Sequence, residues 1–478
     1  MSVQLFLQSK ILGIEDFLLS PPVDPGVLIG RSRWVTLLSE ILPRALVAEL
    51  GLAKILVGTS GGGQFLVIIP AESRAGAEEI LISAAAEISR LSEGHLRLLW
   101  AVTENLGDWS VVRKRLNEEM SRKLGAPLGA GVAHSTFEPY TPIPASDADA
   151  GEFRTLAEAI RQAAQVGWSP DTPGRILVEG GKHTWPLEEP LSEFPLARHM
   201  APGKDGTAVA GIDALGRLGA GRRGWGVLRG DVDSFGVRLR RAQSVEEHIL
   251  LSVLYKQFFA RELQFACSLP EYWKKVSILF AGGDDFAVFG AWDALIHLGR
   301  EIHRLFRRFS DENLKDFPGP EGKTLSMALA IARRDEDLSH VYGRAGEELN
   351  AAKSSDKDGF RLFGRTLEWK RVGDAAELKE TMARLMHDFG CSPQFLGEIA
   401  AFYRDREPAG QQGANRVEKP WRFHRRLQLT MGGTRDRQFQ KVRSALVTDL
   451  IGKSAAHLKL RPAGRVALEW ANRLAPKE

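Results

Sequence analysis

Two adjacent aspartates at an apolar hairpin tip are the residues whose chemistry stands out. Ile278-Leu279-Phe280-Ala281-Gly282-Gly283-Asp284-Asp285-Phe286-Ala287-Val288-Phe289 sets two short apolar runs around a Gly-Gly-Asp-Asp tetrapeptide. Apolar runs separated by a glycine-containing turn read as a β-hairpin. Glycine takes φ > 0 freely and leaves room for a ligand against the backbone. Neighbouring carboxylates repel unless a cation lies between them, and Mg²⁺ takes oxygen ligands. Taken alone, a Gly-Asp turn is most often a solvated loop.

A second stretch shifts the balance. Trp225-Gly226-Val227-Leu228-Arg229-Gly230-Asp231-Val232-Asp233-Ser234-Phe235-Gly236 reads as a strand ending in Asp-Val-Asp, followed by a long helix-like segment from about Val237 to Ala266. If this strand pairs beside the hairpin, Asp231 joins Asp284 and Asp285 around one point. Three carboxylates suit one or two divalent metals, Mg²⁺ or Mn²⁺. Two metals roughly 3.5–4 Å apart stabilise the attacking and leaving oxygens of a phosphoryl displacement. Ser234, Phe235 and Gly236 would open the helix, where backbone N–H groups favour a phosphate. Asp233 is expected to orient the strand-to-helix turn, with a water-mediated path to a metal.

The elements that must position these groups continue downstream. A helix (about Trp292 to Phe309), a strand (Thr324 to Ile331), a helix (about Ser339 to Lys353) and a strand at Phe360 to Phe363 follow in order. Lys353 and Lys357 lie four apart at a helix end and can face one way. Lysines neutralise triphosphate oxygens as point charges. Without the carboxylates they would read as solvated surface.

Together these residues resemble the palm domain of nucleotidyl cyclases and polymerases. The Gly-Gly-Asp-Asp form and Gly226-Val227-Leu228-Arg229-Gly230-Asp231-Val232-Asp233-Ser234-Phe235-Gly236 look most like the Csm-type large signalling subunit of type III CRISPR effector complexes, the Cas-ten family. The resemblance implies conversion of ATP to cyclic oligoadenylates when target RNA is bound. It also implies a guide RNA, other effector subunits and small helical subunits as partners.

Composition bounds the rest. At 478 residues the chain should form three or four domains. Apolar content of 44% and charged content of 26% are those of a soluble globular protein. A net charge of +4 does not itself announce nucleic-acid binding. Two cysteines, Cys267 and Cys391, supply neither a disulfide framework nor a four-cysteine zinc site. No zinc site is expected, and a reduced cytoplasm fits. No membrane contact is expected, since no charge-free stretch has spanning length.

The N-terminal part repeats the layout. Matching Phe65 to Phe286 sets Gly61-Gly62-Gly63-Gln64 against Gly282-Gly283-Asp284-Asp285, and setting Leu5–Ile14 against the Asp231 strand puts Lys10 near the Asp231 position. A second palm without metal ligands is inferred, its glycines admitting a nucleotide. Gly13-Ile14-Glu15-Asp16-Phe17 and Leu28-Ile29-Gly30-Arg31-Ser32 look like motifs of the family's first, non-catalytic palm. Many members carry an N-terminal nuclease domain with a His-Asp dyad. The first histidine here is His95, so that domain is expected to be missing.

Residues 139–221 read as a connecting domain rich in Pro, Gly and Asp. Beyond about 373 the pattern turns helical, with helices expected at 378–389, 392–404, 421–430, 439–450 and 466–474. Between Arg416 and Arg443 stand nine Lys/Arg and two acids. Such a run is usually a solvated helix face. The resemblance favours RNA or subunit contact through Arg422, Arg425, Arg426, Arg435 and Arg437.

The expected fold is α+β: two ferredoxin-like palms (1–138 and 222–372), the connecting domain and a C-terminal helical bundle (373–478). The favoured function is cyclic oligoadenylate synthesis, by 3′-hydroxyl attack on an α-phosphate with loss of pyrophosphate. Asp231, Asp284 and Asp285 would hold the metals; Lys353 and Lys357, with Gly282, Gly283 and the Ser234–Gly236 amides, would hold ATP. One alternative is a diguanylate-type cyclase, whose usual fourth turn residue is Glu where Asp285 stands. The other is a non-enzymatic scaffold subunit of an RNA-guided complex.

Overall fold

The computed structural model describes residues 3–21, 24–125, 147–187, 192, 194–204, 206, 208–354, 357–404, 425, 429–431, 436–451 and 462–475. Strand β1 (Gln4–Leu12) opens the chain, followed by helices α1 (Ile14–Leu19) and α2 (Pro25–Glu49). Strands β2 (Val57–Gly61) and β3 (Gln64–Pro70), helix α3 (Arg74–Leu91) and strand β4 (Arg97–Glu104) complete a four-stranded sheet of order β2-β3-β1-β4. β1 runs antiparallel to both β3 and β4. This is the β-α-β-β-α-β ferredoxin-like layout.

Helix α2 explains much of the first palm's cohesion. Asp24 caps it, its Oδ1 accepting from the N–H groups of Gly26 (2.8 Å) and Val27 (3.1 Å), with Pro25 in the first turn. The helix is buried nearly all round, as expected for one enclosed between layers rather than lying on a surface. Its apolar side chains share one core with β1, β3 and, across the molecule, Leu279, Phe289 and Tyr342 of the second palm.

Helix α4 (Trp109–Gly125) packs on β4, and α5 (Asp147–Gln162) lies along α2. A small antiparallel pair, β5 (Gln165–Trp168) with β6 (His183–Pro186), lies in the connecting segment. Beside this pair, Gly167 also bridges to Leu177.

The second palm repeats the first. Strands β7 (Trp225–Val232), β8 (Val276–Ala281), β9 (Asp285–Ala291) and β10 (Leu325–Ile331) take the order β10-β7-β9-β8. β11 (Gly359–Leu362) adds parallel to β10, and β12 (Arg365–Glu368) closes that edge. β9 is buried on both faces, so its apolar residues run nearly without alternation. The long helix expected over 237–266 is broken. A six-residue helix, Phe235–Arg240, ends before α6 (Val245–Gln257), and a π turn at Phe258–Glu262 leads into Leu263–Ser268. The break is local chemistry: Ser244 Oγ accepts from Glu247 N–H, and the Glu247 carboxylate accepts from Gln243 N–H. These are close to the reciprocal bonds of a capping box.

Helices α7 (Trp292–Asn313) and α8 (Leu338–Ser354) cover the sheet. In α7, Leu295, Leu298, Ile302 and Phe306 recur at helical spacing and are buried. Helices α9 (Trp369–His387), α10 (Gln394–Arg404), α11 (Arg437–Ile451) and α12 (Pro462–Leu474) follow. Buried residues of all four join the second palm's core, and the Trp369 indole donates to the Leu325 carbonyl at 2.8 Å. The α+β class with two ferredoxin-like palms is therefore as expected. Most of the helix expected at 421–430 lies outside the described residues. Among the described residues no helix is long and apolar enough to cross a membrane.

Candidate active site at the facing glycine turns

The register of β7 gathers the acids. Asp231 pairs with Asp285 across β7–β9 and with Ser326 across β7–β10. Directly opposed residues in antiparallel strands share a face, so these three do. Arg229, two residues back on β7, shares it as well. Asp284 lies in the turn, and its carbonyl accepts from Val232 N–H at 2.9 Å, one step beyond the last ladder pair.

Three carboxylates in one field repel. Burial, then the Asp285 and Asp231 charges, push the Asp284 carboxyl up to about 7. Burial and Asp231 push Asp285 up to about 6. Asp231 is also raised, burial outweighing the nearby Lys353 ammonium. Lys353, at the end of α8, is ion-paired with Asp231 Oδ1. Lys357 donates to Ser234 Oγ at 2.7 Å. Both lysines expected at a triphosphate thus reach the site, and in this structure one spends its charge on an acid and the other on a hydroxyl. Among the described residues no three acidic, imidazole or thiol groups form a ready-made metal cage.

The two glycine turns differ. Both a positive φ and room for a ligand are expected at Gly282 and Gly283, and room for a nucleotide at Gly61 to Gly63. Gly61, Gly62 and Gly63 do adopt φ of 113°, 60° and 75°, but Gly282 and Gly283 are not in that region. Their need is space. A Cβ on Gly282 would lie 2.3 Å from Asp285 Oδ1, while one on Gly283 would meet nothing within 4 Å. At Gly62 the nearest atom to such a Cβ is the Gly283 nitrogen, at 3.6 Å. The glycine turns of the two palms therefore face each other. A cavity of about 240 Å³ lies there, lined by Gly62, Gly63, Gly282, Asp285, Arg229 and Tyr342 among others.

Two residues of this site, Arg229 and Tyr342, were not singled out from sequence. Arg229 stacks over the Tyr342 ring (4.4 Å) and pairs with Glu15 of the first palm (3.7 Å). Its place two residues before Asp231 was the available signal. Asp233 is buried, and it accepts from the Thr324 and Ser326 hydroxyls (2.8 Å each) and from Asp358 N–H (2.9 Å). It fixes the turn, as expected, with its oxygens committed to these donors. Ser234 (φ 59°), Lys357 (φ 55°) and Asp358 (φ 46°) hold left-handed backbone that non-glycine residues rarely adopt. The helix that Ser234 begins is short; Phe235 packs on Tyr255 (4.9 Å), and Gly236 is exposed. Arg425 and Arg437 are exposed. Arg422, Arg426 and Arg435 lie outside the described residues. Cys267 and Cys391 are buried free thiols.

The internal repeat extends to the site. Lys10 pairs with Gln64 across β1–β3, as Asp231 pairs with Asp285 across β7–β9.

Comparison with known proteins bears on this sheet. Residues 225–361 match the family model described as Cas10/Cmr2, second palm domain. This segment is similar to the second palm of Cas10/Cmr2 proteins. Curated relatives include the subtype III-A CRISPR single-strand-specific deoxyribonuclease Cas10/Csm1 of Thermococcus onnurineus, 25% identical over 172 residues. The Streptococcus thermophilus counterpart is 28% identical over 162 residues. These alignments take in 33% and 32% of this chain but only 21% and 20% of the relatives. Among solved structures, the Csm1-Csm4 cassette in complex with cA3 aligns over 99% of this chain and 70% of that one, with a TM-score of 0.71 and 17% identity. The cassette in complex with AMPPNP aligns over 94% and 70%, with a TM-score of 0.68 and 18% identity. That likeness is one of fold. It spans both palm sheets, whereas the family model spans only residues 225–361.

Proposed function

We propose that this chain is a metal-dependent nucleotidyltransferase that makes cyclic oligoadenylate from ATP, as the palm-bearing subunit of a type III CRISPR complex. The observation that carries the reading is Asp231 opposite Asp285, beside a Gly-Gly turn that faces a second glycine turn. The Cas10/Cmr2 match of 225–361 and the cassette structures solved with AMPPNP and with cA3 support the substrate and product class.

The donor set suits a divalent cation. Three carboxylates whose pKa values rise through burial and mutual repulsion form a site short of positive charge, and oxygen donors suit Mg²⁺ or Mn²⁺. Asp231, Asp284 and Asp285 would hold it, and bound there it would neutralise charge on the reacting phosphate oxygens. The chain's own residues do the rest. Asp233 locks the end of β7 against β10, which keeps Asp231 aimed at the hairpin. Lys353 and Lys357 offer ammonium groups to a triphosphate at the same turn. Gly282 and Gly283 leave the backbone open to it. The first palm, with Lys10 and Gln64 where the second has acids, presents a nucleotide's 3′-hydroxyl rather than a metal. Its oxygen attacks the α-phosphate of the ATP on the Asp285 side, forming one phosphodiester bond and releasing pyrophosphate. Guide and target RNA, small helical subunits and other type III subunits are the proposed partners, with the basic C-terminal segment as a contact.

Incubating the chain, alone and in its reconstituted complex, with each NTP and Mg²⁺ or Mn²⁺ tests this. ATP-specific cyclic products by mass spectrometry support it; products from GTP would point to the diguanylate-type alternative.

A further inference from the structure

Behind the first palm's glycine turn lies a buried ionic cluster that the reaction scheme does not use. Glu40 of α2 is 2% exposed. Lys256 of α6, in the second palm, reaches its two carboxylate oxygens at 3.1 and 3.2 Å. Ser60, the residue before Gly61, donates to Glu40 Oε2 at 2.7 Å and lies 3.2 Å from Lys256 Nζ. Arg44 contacts the same carboxylate at 3.0 Å. Burial raises the Glu40 carboxyl, yet Lys256, Arg44 and Ser60 together bring it below its ordinary value, so it is ionised. The neighbouring Ser39 hydroxyl accepts from Gly63 N–H at 3.1 Å. The glycine turn is thus gripped at both ends by α2, and at Ser60 the grip extends to the second palm. A Cβ on Gly61 would lie 3.0 Å from Glu40 Oε1 and 3.1 Å from the Lys256 side chain.

We propose that Glu40 and Lys256, acting through Ser60, are positioning residues that set the first palm's glycine turn at its distance from Gly282–Gly283, and so fix the affinity of the nucleotide held by the first palm. The proposal rests on the two-nucleotide reading above. Breaking the pair frees the turn of one palm from a helix of the other and leaves the carboxylates of β7 and β9 in place. One nucleotide site should therefore weaken while the other does not.

The test is calorimetric titration of the full chain with a non-hydrolysable ATP analogue and Mn²⁺. The unmodified chain should bind two molecules, with Asp285→Asn weakening one site. Lys256→Met and Ser60→Ala should each weaken the other site tenfold or more and change the Asp285-dependent site less than twofold. Lys256→Arg should restore binding to within about threefold. Ser60→Ala removes one hydroxyl and leaves the charges paired, so it reports even if Lys256→Met does not fold. Equal weakening of both sites, or none, in Ser60→Ala would overturn the positioning role. Single-site binding by the unmodified chain would overturn the two-nucleotide reading itself, and the role of the pair with it.

Discussion

Asp231 stands directly opposite Asp285 in the β7–β9 ladder, on one face of the sheet. Two acids so placed cost stability when both are ionised, and the cost has a pH dependence. Asp284 and Asp285 have folded-state values of about 7 and about 6, above the unfolded value of 3.8. The folded chain therefore binds protons more tightly than the unfolded one. Stability should fall as pH rises from about 4 through 7, with the penalty complete above that. In chelator, the melting temperature should drop between pH 5 and pH 8 by an amount equivalent to about 4 kcal/mol. Asp285→Asn should flatten that slope and raise the melting temperature at pH 8, and added Mn²⁺ should do the same for the unmodified chain. A slope unchanged in Asp285→Asn would refute the repulsion.

Asp233 is held by hydrogen bonds rather than set against another acid. It is buried and accepts from three donors. Asp233→Ala strands the buried Ser326 hydroxyl and, half-buried beside it, the Thr324 hydroxyl and the Asp358 amide, and should cost about 3 kcal/mol, since an unsatisfied buried group costs about 1–3 kcal/mol. Asp231→Asn should cost little. Urea melts of the two variants compare them directly; equal costs would mean that Asp233 is not the clamp.

The glycines separate space from conformation. Gly283→Ala meets nothing within 4 Å and should melt as the unmodified chain does, yet lose ATP affinity if the gap serves a ligand. Gly282→Ala would displace the Asp285 carboxylate and should lose Mn²⁺ binding. Normal ATP binding by Gly283→Ala would assign the open space no ligand.

Lys353 is paired with Asp231. Lys353→Met should leave Mn²⁺ binding equal or stronger, because a competing cation is removed, and raise the KM for ATP tenfold or more. Weaker Mn²⁺ binding with unchanged KM would place Lys353 in the support of Asp231 alone.

Much of this site was legible because hairpins and ladders carry their register in local pattern. Aligning Phe65 with Phe286 sets Gln64 at the Asp285 position, and aligning Leu5–Ile14 with the Asp231 strand sets Lys10 near the Asp231 position, as the ladders do. The interruption after Arg240 was written in Ser244-Val245-Glu246-Glu247, but helical periodicity on both sides masked it. The positive φ of Ser234, Lys357 and Asp358 had no sequence mark; these residues meet through long-range bonds, Lys357 to the Ser234 hydroxyl and Asp358 N–H to Asp233. Glu40 and Lys256 are 216 residues apart, and a charged residue within an otherwise apolar helix does not reveal its partner.

The most direct test of the central claim is mass spectrometry of ATP reactions run by the reconstituted complex with target RNA and Mn²⁺, for the unmodified chain and for the Asp284→Ala, Asp285→Ala double variant. Cyclic oligoadenylate from the first and none from the second, with the double variant still folded and assembled, is the expected result. Undiminished product from the double variant would contradict the assignment of Asp284 and Asp285 to catalysis.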